Sequence, residues 1–142
     1  MVLDGDNIRH GLCSDLGFSA EDRQENIRRI GETAKLFMES GVVVLTAFIS
    51  PFHSDRQLAR NLVDQSDFNE IYVECPLEVC EERDTKGLYE KARKGEIHSF
   101  TGISSPYETP QNAELIVNTS ELDIQDCVNA VLDYCQQQGI IT

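Results

Sequence analysis

The run VVVLTAF, from Val42 to Phe48, decides the class of fold. It is continuous, apolar and rich in β-branched residues, the composition of a strand buried on both faces of a parallel sheet. Gly41 precedes it and Pro51 ends it. Upstream, Ser19 opens a helix with Asp22 three residues on, close to a capping box. Ile27, Ile30, Ala34 and Phe37 then recur at helical spacing as far as Gly41, a C-terminal stop. Before that helix, Val2-Leu3 reads as the stub of a strand ending at Asp4, and Gly5 to Gly17 as loop or short helix.

Downstream the alternation continues. Asp55 to Asp64 reads as a helix, Glu70 to Cys75 as a strand, and Leu77 to Glu82 as a short helix after Pro76. Gly87 to Lys94 reads as helical, Gly95 to Asn112 as a long loop, and Leu115 to Val117 as a last short strand. Ile124, Val128, Val131, Leu132 and Cys135 make the apolar stripe of a C-terminal helix. Buried strands alternating with helices predict one α/β domain over residues 1–142, a parallel sheet with flanking helices. Ligands in such sheets bind beyond the carboxyl ends of the strands. That rule points to Asp4-Gly5-Asp6, to Ile49-Ser50-Pro51 and to the segment after Cys75.

Composition narrows the partners. The chain has 142 residues, 40% hydrophobic and 26% charged, with a formal net charge of -13. That charge argues against generic nucleic-acid or anionic-membrane binding, while a local basic cluster still suits a small anion. Such a cluster runs from Arg83 to Gly95, where Arg83, Lys86, Lys91, Arg93 and Lys94 stand against Asp84 and Glu90. It reads either as a solvated helix face or as a basic lid over an anion. Five cysteines without paired CxxC units fit a reducing cytoplasm, with Cys75 and Cys135 as small core residues. The acidic start, Met1-Val2-Leu3-Asp4-Gly5-Asp6, lacks the apolar stretch of a signal peptide, and no run reaches the length of a membrane span.

Several side chains carry chemistry. Followed backwards from Ala34 and Ile30, the apolar stripe of the first long helix leads to Asn26 and Arg23, three apart on one face. Polar groups continuing a buried stripe need partners. Either Arg23 pairs with a nearby acid and Asn26 caps a loop, or both point into a ligand cleft. Asp4 and Asp6 flank Gly5 at a strand end, where carboxylates serve a turn, hold a metal or accept a proton. Phe18 and Phe100 adjoin glycine-containing loops and either pack inward or stack on a base.

Taken together these segments resemble the adenylyl-sulfate kinases. The resemblance is carried by LDGDNIRHGL (Leu3 to Leu12), DLGFS (Asp15 to Ser19), EDRQENIRRIGETAKLF (Glu21 to Phe37) and FISP (Phe48 to Pro51). It continues through PLEVCEERDTKGLYEKARKGEI (Pro76 to Ile97), FTGI (Phe100 to Ile103) and SPYETP (Ser105 to Pro110). It implies a P-loop-kinase-like fold and transfer of the γ-phosphate of ATP, with Mg2+, to the 3'-hydroxyl of adenylyl sulfate (APS). The product is the sulfate donor PAPS of sulfate assimilation. By the same resemblance Asp4 is the catalytic aspartate and helps place the metal, with Asp6 its neighbour on the substrate side. Arg9, Arg23 and Asn26 match residues that hold the phosphosulfate and ribose, a task suited to the planar guanidinium fork. Phe18 and Phe100 match the two aromatics that sandwich the adenine, and Ile49 offers main-chain contacts. Ser50 matches a serine assigned as a phosphorylated intermediate; as a residue before Pro51 it equally reads as part of a turn. Lys86 and Leu88 match substrate-binding positions, and Arg83 and Lys91 positions against ATP, in a lid whose closure excludes water. Relatives of this kind pair as homodimers, which the resemblance carries over as an expectation.

The chain departs from the family pattern in three places. Cys13-Ser14 stands where asparagine and a basic residue are usual, and His53 where a second basic residue follows FISP. The resemblance also implies a phosphate loop, GxxxxGKS or GxxxxGKT, ahead of Leu3, and neither occurs in the 142 residues. The expectation is a domain incomplete at its N-terminus, without the first strand and phosphate loop, and impaired in transfer. The competing reading is a non-catalytic module that binds APS or PAPS.

Overall fold

β1 (Val2–Asp4) runs parallel to β2 (Leu45–Ala47), with Leu3 opposite Thr46 and Asp4 opposite Ala47. Parallel neighbours need a crossover, here supplied by α1 (Gly5–His10) and α2 (Ala20–Glu39). The computed structural model describes residues 1–142 and divides them into two units, Met1–Phe68 and Asn69–Thr142.

In the first unit α2 forms as its sequence dictates. Ser19 is the N-cap, its hydroxyl accepting from the Asp22 N–H at 3.1 Å. The buried face carries Ile30, Ile27, Asn26 and Arg23, so the polar pair does continue the apolar stripe inward. The helix ends at Ser40, and Gly41 takes a left-handed φ of 82° that other residues adopt only under strain. α3 (His53–Arg60) packs on α2. Gly31 admits that approach, because a Cβ there would sit 2.6 Å from Leu62 Cδ1 and 3.7 Å from Ala59. Leu3, Cys13, Ile27, Ile30 and Pro51 are buried apolar residues of this unit.

The Val42–Phe48 run departs from expectation. Only Leu45–Ala47 is strand, and Val42, Val43 and Leu45 are exposed. β2 has a single ladder partner in a two-stranded sheet, and its three residues are all exposed.

In the second unit β3 (Ile71–Glu74) runs parallel to β4 (Leu115–Asn118), with Val73 opposite Val117. Parallel pairing with flanking helices is thus present in each unit, β1 with β2 in the first and β3 with β4 in the second. α4 (Leu77–Arg83) and α5 (Leu88–Arg93) lie between these strands in sequence. Asp84 joins the two helices: its carboxylate oxygens accept from the N–H groups of Tyr89 and Glu90, both at 3.0 Å. The long loop after α5 is closed by a bridge between Thr101 and Ser105. α6 (Ile124–Gln137) starts at an Asp123 cap and is tied to the start of the unit by Tyr134, whose hydroxyl donates to Asn69 at 2.6 Å.

Two core assignments change here. The α6 stripe is not enclosed: Ile124, Val128 and Leu132 are exposed, while Val131 and Cys135 are half-buried. A two-stranded sheet offers little face for a helix of 14 residues to cover. Cys75 is also half-buried, and the fully enclosed cysteine is Cys13. No helix is long and apolar enough to cross a membrane.

Candidate functional site

The carboxyl end of β1 opens directly into α1, and Asp4 stands at that junction. Its Oδ1 caps α1, accepting from the N–H of Asp6 at 3.0 Å and of Asn7 at 3.4 Å. The cap fixes the carboxylate, because both donors belong to the first turn of the helix. Asp4, Gly5 and Asp6 form one wall of a cavity of about 240 Å³. Phe48, Ile49, Ser50 and Pro51, beyond the end of β2, form another. Both strand ends named by the α/β rule within this unit thus meet at one cavity.

The remaining walls are cationic and aromatic. Arg9 of α1 and Arg23 of α2 both approach the ring of Phe18, their Cζ atoms 4.3 and 5.7 Å from its centroid. Phe18 itself is 58% exposed, so the cations hold an aromatic that is not packed inward. Backbone carbonyls orient the guanidinium groups: Arg9 Nη1 donates to Gly17 at 2.8 Å, and Arg23 Nε to Phe18 at 3.1 Å. Burial pushes the Arg23 pKa down, and the nearby charge of Arg9 pushes it the same way. An incoming anion relieves the repulsion between the two and supplies charge-assisted hydrogen bonds.

Asn26 completes the cavity. It is 3% exposed, and its Oδ1 has no hydrogen-bond partner. A buried amide oxygen left without a donor carries an uncompensated desolvation cost. Arg23 and Asn26 both line this cavity.

Asp4, Asp6, Arg9, Phe18, Arg23, Asn26, Ile49 and Ser50 are therefore brought together around one cavity of the first unit. The other expected site residues belong to the second unit. Phe100 is half-buried, with the Tyr89 ring edge-on at 5.0 Å. Arg83 Nη2 donates to the Thr119 carbonyl at 2.7 Å. Lys86, Leu88 and Lys91 are exposed at or near α5. Within the basic segment Arg93 pairs with Glu81, and Lys94 with Glu90 at 2.5 Å. Those two charges are partly neutralised by their own unit.

The sequence did not single out Arg29, Asp15 or Arg56. Arg29 grips Asp15 in the loop that leads to Phe18, and Arg56 donates to the carbonyl of Ser50. The signal available for Arg56 was a charged residue one position before Gln57 in an amphipathic helix, which does not distinguish it from a solvated one.

The family profile for adenylylsulphate kinase matches residues 1–118. The adenylyl-sulfate kinase of Acaryochloris marina is 64% identical over 140 residues, which cover 99% of this chain and 68% of the relative. The adenylyl-sulfate kinase of Prochlorococcus marinus is 66% identical over 131 residues, 92% of this chain and 65% of the relative. The chain thus spans about two thirds of the length of these relatives. Among solved structures, the Mycobacterium tuberculosis APS kinase CysC, in complex with AMPPNP and APS, superimposes with a TM-score of 0.88 at 47% identity. That match covers 95% of this chain and 79% of the solved one. With a family profile over most of its length and relatives of this identity, the chain belongs to the adenylyl-sulfate kinase family.

Proposed function

We propose that the first-unit cavity is the acceptor site of an adenylyl-sulfate kinase, the place where adenylyl sulfate presents its 3'-hydroxyl. The observation that carries this reading is the convergence of Arg9, Arg23, the orphaned Asn26 Oδ1 and the capped Asp4 carboxylate on one cavity. The two guanidinium groups suit the phosphosulfate, since planar forks bind oxyanions in pairs. Asn26 Oδ1 accepts a ribose hydroxyl. The exposed face of Phe18 stacks on the adenine.

Asp4 orients the 3'-hydroxyl and takes up its proton as the oxygen bonds to the γ-phosphorus of ATP and the bond from that phosphorus to the bridging oxygen breaks, releasing ADP. Phosphoryl transfer needs little covalent chemistry from the protein, so positioning and charge neutralisation are what these residues provide. Asp6 supports Asp4 from the first turn of α1, and Ile49 contributes main-chain contacts. Ser50 acts as a wall residue, because direct in-line transfer requires no phosphorylated intermediate.

The family uses ATP as phosphate donor, generally with Mg2+. No group of three or more His, Cys, Asp or Glu side chains could hold a metal alone. Mg2+ is usually held by one or two carboxylates together with substrate phosphates, and Asp4 fits the part of one such carboxylate. The metal, when bound, neutralises charge on the transferred phosphoryl group. Arg83 and Lys91 are proposed for the nucleotide side, and Lys86, Leu88 and Phe100 for the substrate side of the second unit. The homodimer rests on the family resemblance alone and is read by sedimentation velocity. Five free cysteines support a reducing, cytoplasmic setting. The alternative of a non-catalytic module gains no support from the cavity, where Asp4 stands among the binding residues.

Isothermal titration of the chain with adenylyl sulfate tests the reading. Saturable binding that Arg23→Ala abolishes supports it; no heat of binding from the folded chain refutes it.

A further inference from the structure

Two charges enclosed in the first unit lie outside the cavity just described. Asp55 is 2% and Arg56 8% exposed, side by side on α3. An enclosed guanidinium is tolerated only when its donors are engaged. Arg56 Nη1 donates to the Ser50 carbonyl at 2.8 Å, and Nη2 lies 3.1 Å from His53 Nδ1.

Ser50 is conformationally unusual. Its φ is 37°, a left-handed value found at only one other non-glycine residue, Ser99. Side chains disfavour that region. The following Pro51 disfavours it further, because a residue before proline is pushed towards extended backbone. Local preference therefore opposes the turn twice over. The Ser50 hydroxyl offers little help, its nearest acceptor being the Phe48 carbonyl at 3.5 Å. Strained backbone persists where its surroundings over-determine it, and the short, charge-assisted bond from Arg56 is such a constraint. Ile49, Ser50 and Pro51 all line the cavity, so the shape of the turn is the shape of a cavity wall.

We propose that Arg56 is a positioning residue: by holding the Ser50 carbonyl it keeps the Ile49–Ser50–Pro51 turn in the left-handed form that builds the substrate wall. The inference rests on reading the cavity as the acceptor site, and its test separates the two. The experiment uses the whole 142-residue chain, labelled with carbon-13 and nitrogen-15. The Ser50 Cα and Cβ shifts report left-handed or extended backbone without any ligand. Titration with adenylyl sulfate reports the wall.

Arg56→Met is expected to move the Ser50 shifts to extended values and to weaken binding about tenfold. Arg56→Lys keeps the charge but loses the fork, and is expected to fall between wild type and Arg56→Met; it also serves if the methionine variant fails to fold. In a Ser50→Gly background the Arg56→Met loss should shrink, because glycine adopts left-handed φ at no steric cost. Ser50 shifts unchanged in Arg56→Met and Arg56→Lys overturn the inference, and so does an equal loss of affinity in the two backgrounds. A wild-type chain that takes up no adenylyl sulfate refutes the acceptor-site reading, and the Ser50 shifts then decide the role of Arg56 alone.

Discussion

Arg29 holds both carboxylate oxygens of Asp15 across 14 residues of sequence, with Nη1 2.6 Å from Oδ1 and Nη2 2.8 Å from Oδ2. The same guanidinium donates to the Leu12 carbonyl at 3.0 Å, and its Nε to Glu25 at 2.8 Å. One α2 side chain thus pins the loop that follows α1 and leads to Phe18. The clamp depends on two ionised acids. Hydrogen bonds from Arg29 hold the Asp15 carboxyl below the usual aspartate range. Hydrogen bonds from Arg28 and then Arg29 bring Glu25 down to about 2.

A group whose pKa is depressed by folding contributes stability above its unfolded value and loses it as pH falls through the folded value. For Glu25 that window runs from 4.5 down to about 2. Thermal melts taken stepwise through this window should show the melting temperature falling, and Glu25→Gln should flatten that fall. A fall of the same size in Glu25→Gln would remove Glu25 from the explanation.

Asn26 separates binding from stability. Its buried Oδ1 has no hydrogen-bond partner in the protein, so Asn26→Leu breaks no bond that this oxygen accepts from the protein. Such a change is expected to leave stability within about 1 kcal/mol of wild type, or to raise it. Affinity for adenylyl sulfate should fall at least about tenfold. Urea unfolding and titration on the same preparation read both; a large loss of stability with unchanged affinity would make Asn26 structural.

Gly31 sets the approach of α3 to α2. A Cβ there would meet Leu62 Cδ1 at 2.6 Å, and Ala59 Cα and Cβ at 3.7 Å. Leu62 is the end of a flexible side chain, so alanine is tolerated by a small shift and gains helix propensity. Valine is too large and is expected to cost about 1–3 kcal/mol through overpacking. Urea midpoints for the two variants should diverge; equal midpoints would mean that the helices are not in close contact at this point.

Cys13 is fully enclosed, and burial is the largest cause pushing its thiol pKa up. The other four cysteines are half-buried. Since the thiolate is the reactive form, a colorimetric thiol reagent should titrate the half-buried cysteines of the folded chain first and reach Cys13 only on unfolding. Prompt reaction at Cys13, located by peptide mapping, would show that the α1–α2 loop opens readily.

What the sequence disclosed follows the range of the forces involved. α2 was legible throughout, because Ser19, Ile27, Ile30 and Gly41 act within a turn or two of their own positions. The departure of Arg23 and Asn26 from the apolar stripe was legible too, and marked the cavity they line. Exposure of Val42, Val43 and Leu45, and of the α6 stripe, was not: an apolar residue declares that it favours cover, not that cover is present. The left-handed turn at Ser50 was hidden because no glycine announces it and its support comes from Arg56, six residues on. Cys13 lay in a segment without periodicity, so nothing local distinguished it from the other cysteines.

The central claim is that adenylyl sulfate occupies the first-unit cavity, and chemical-shift mapping during a titration tests it residue by residue. The account predicts the largest perturbations at the Asn26 side-chain amide, the Arg9 and Arg23 guanidinium groups, and the backbone of Gly5, Phe18 and Ser50. Perturbations that bypass these residues, or none at saturating ligand, would contradict it.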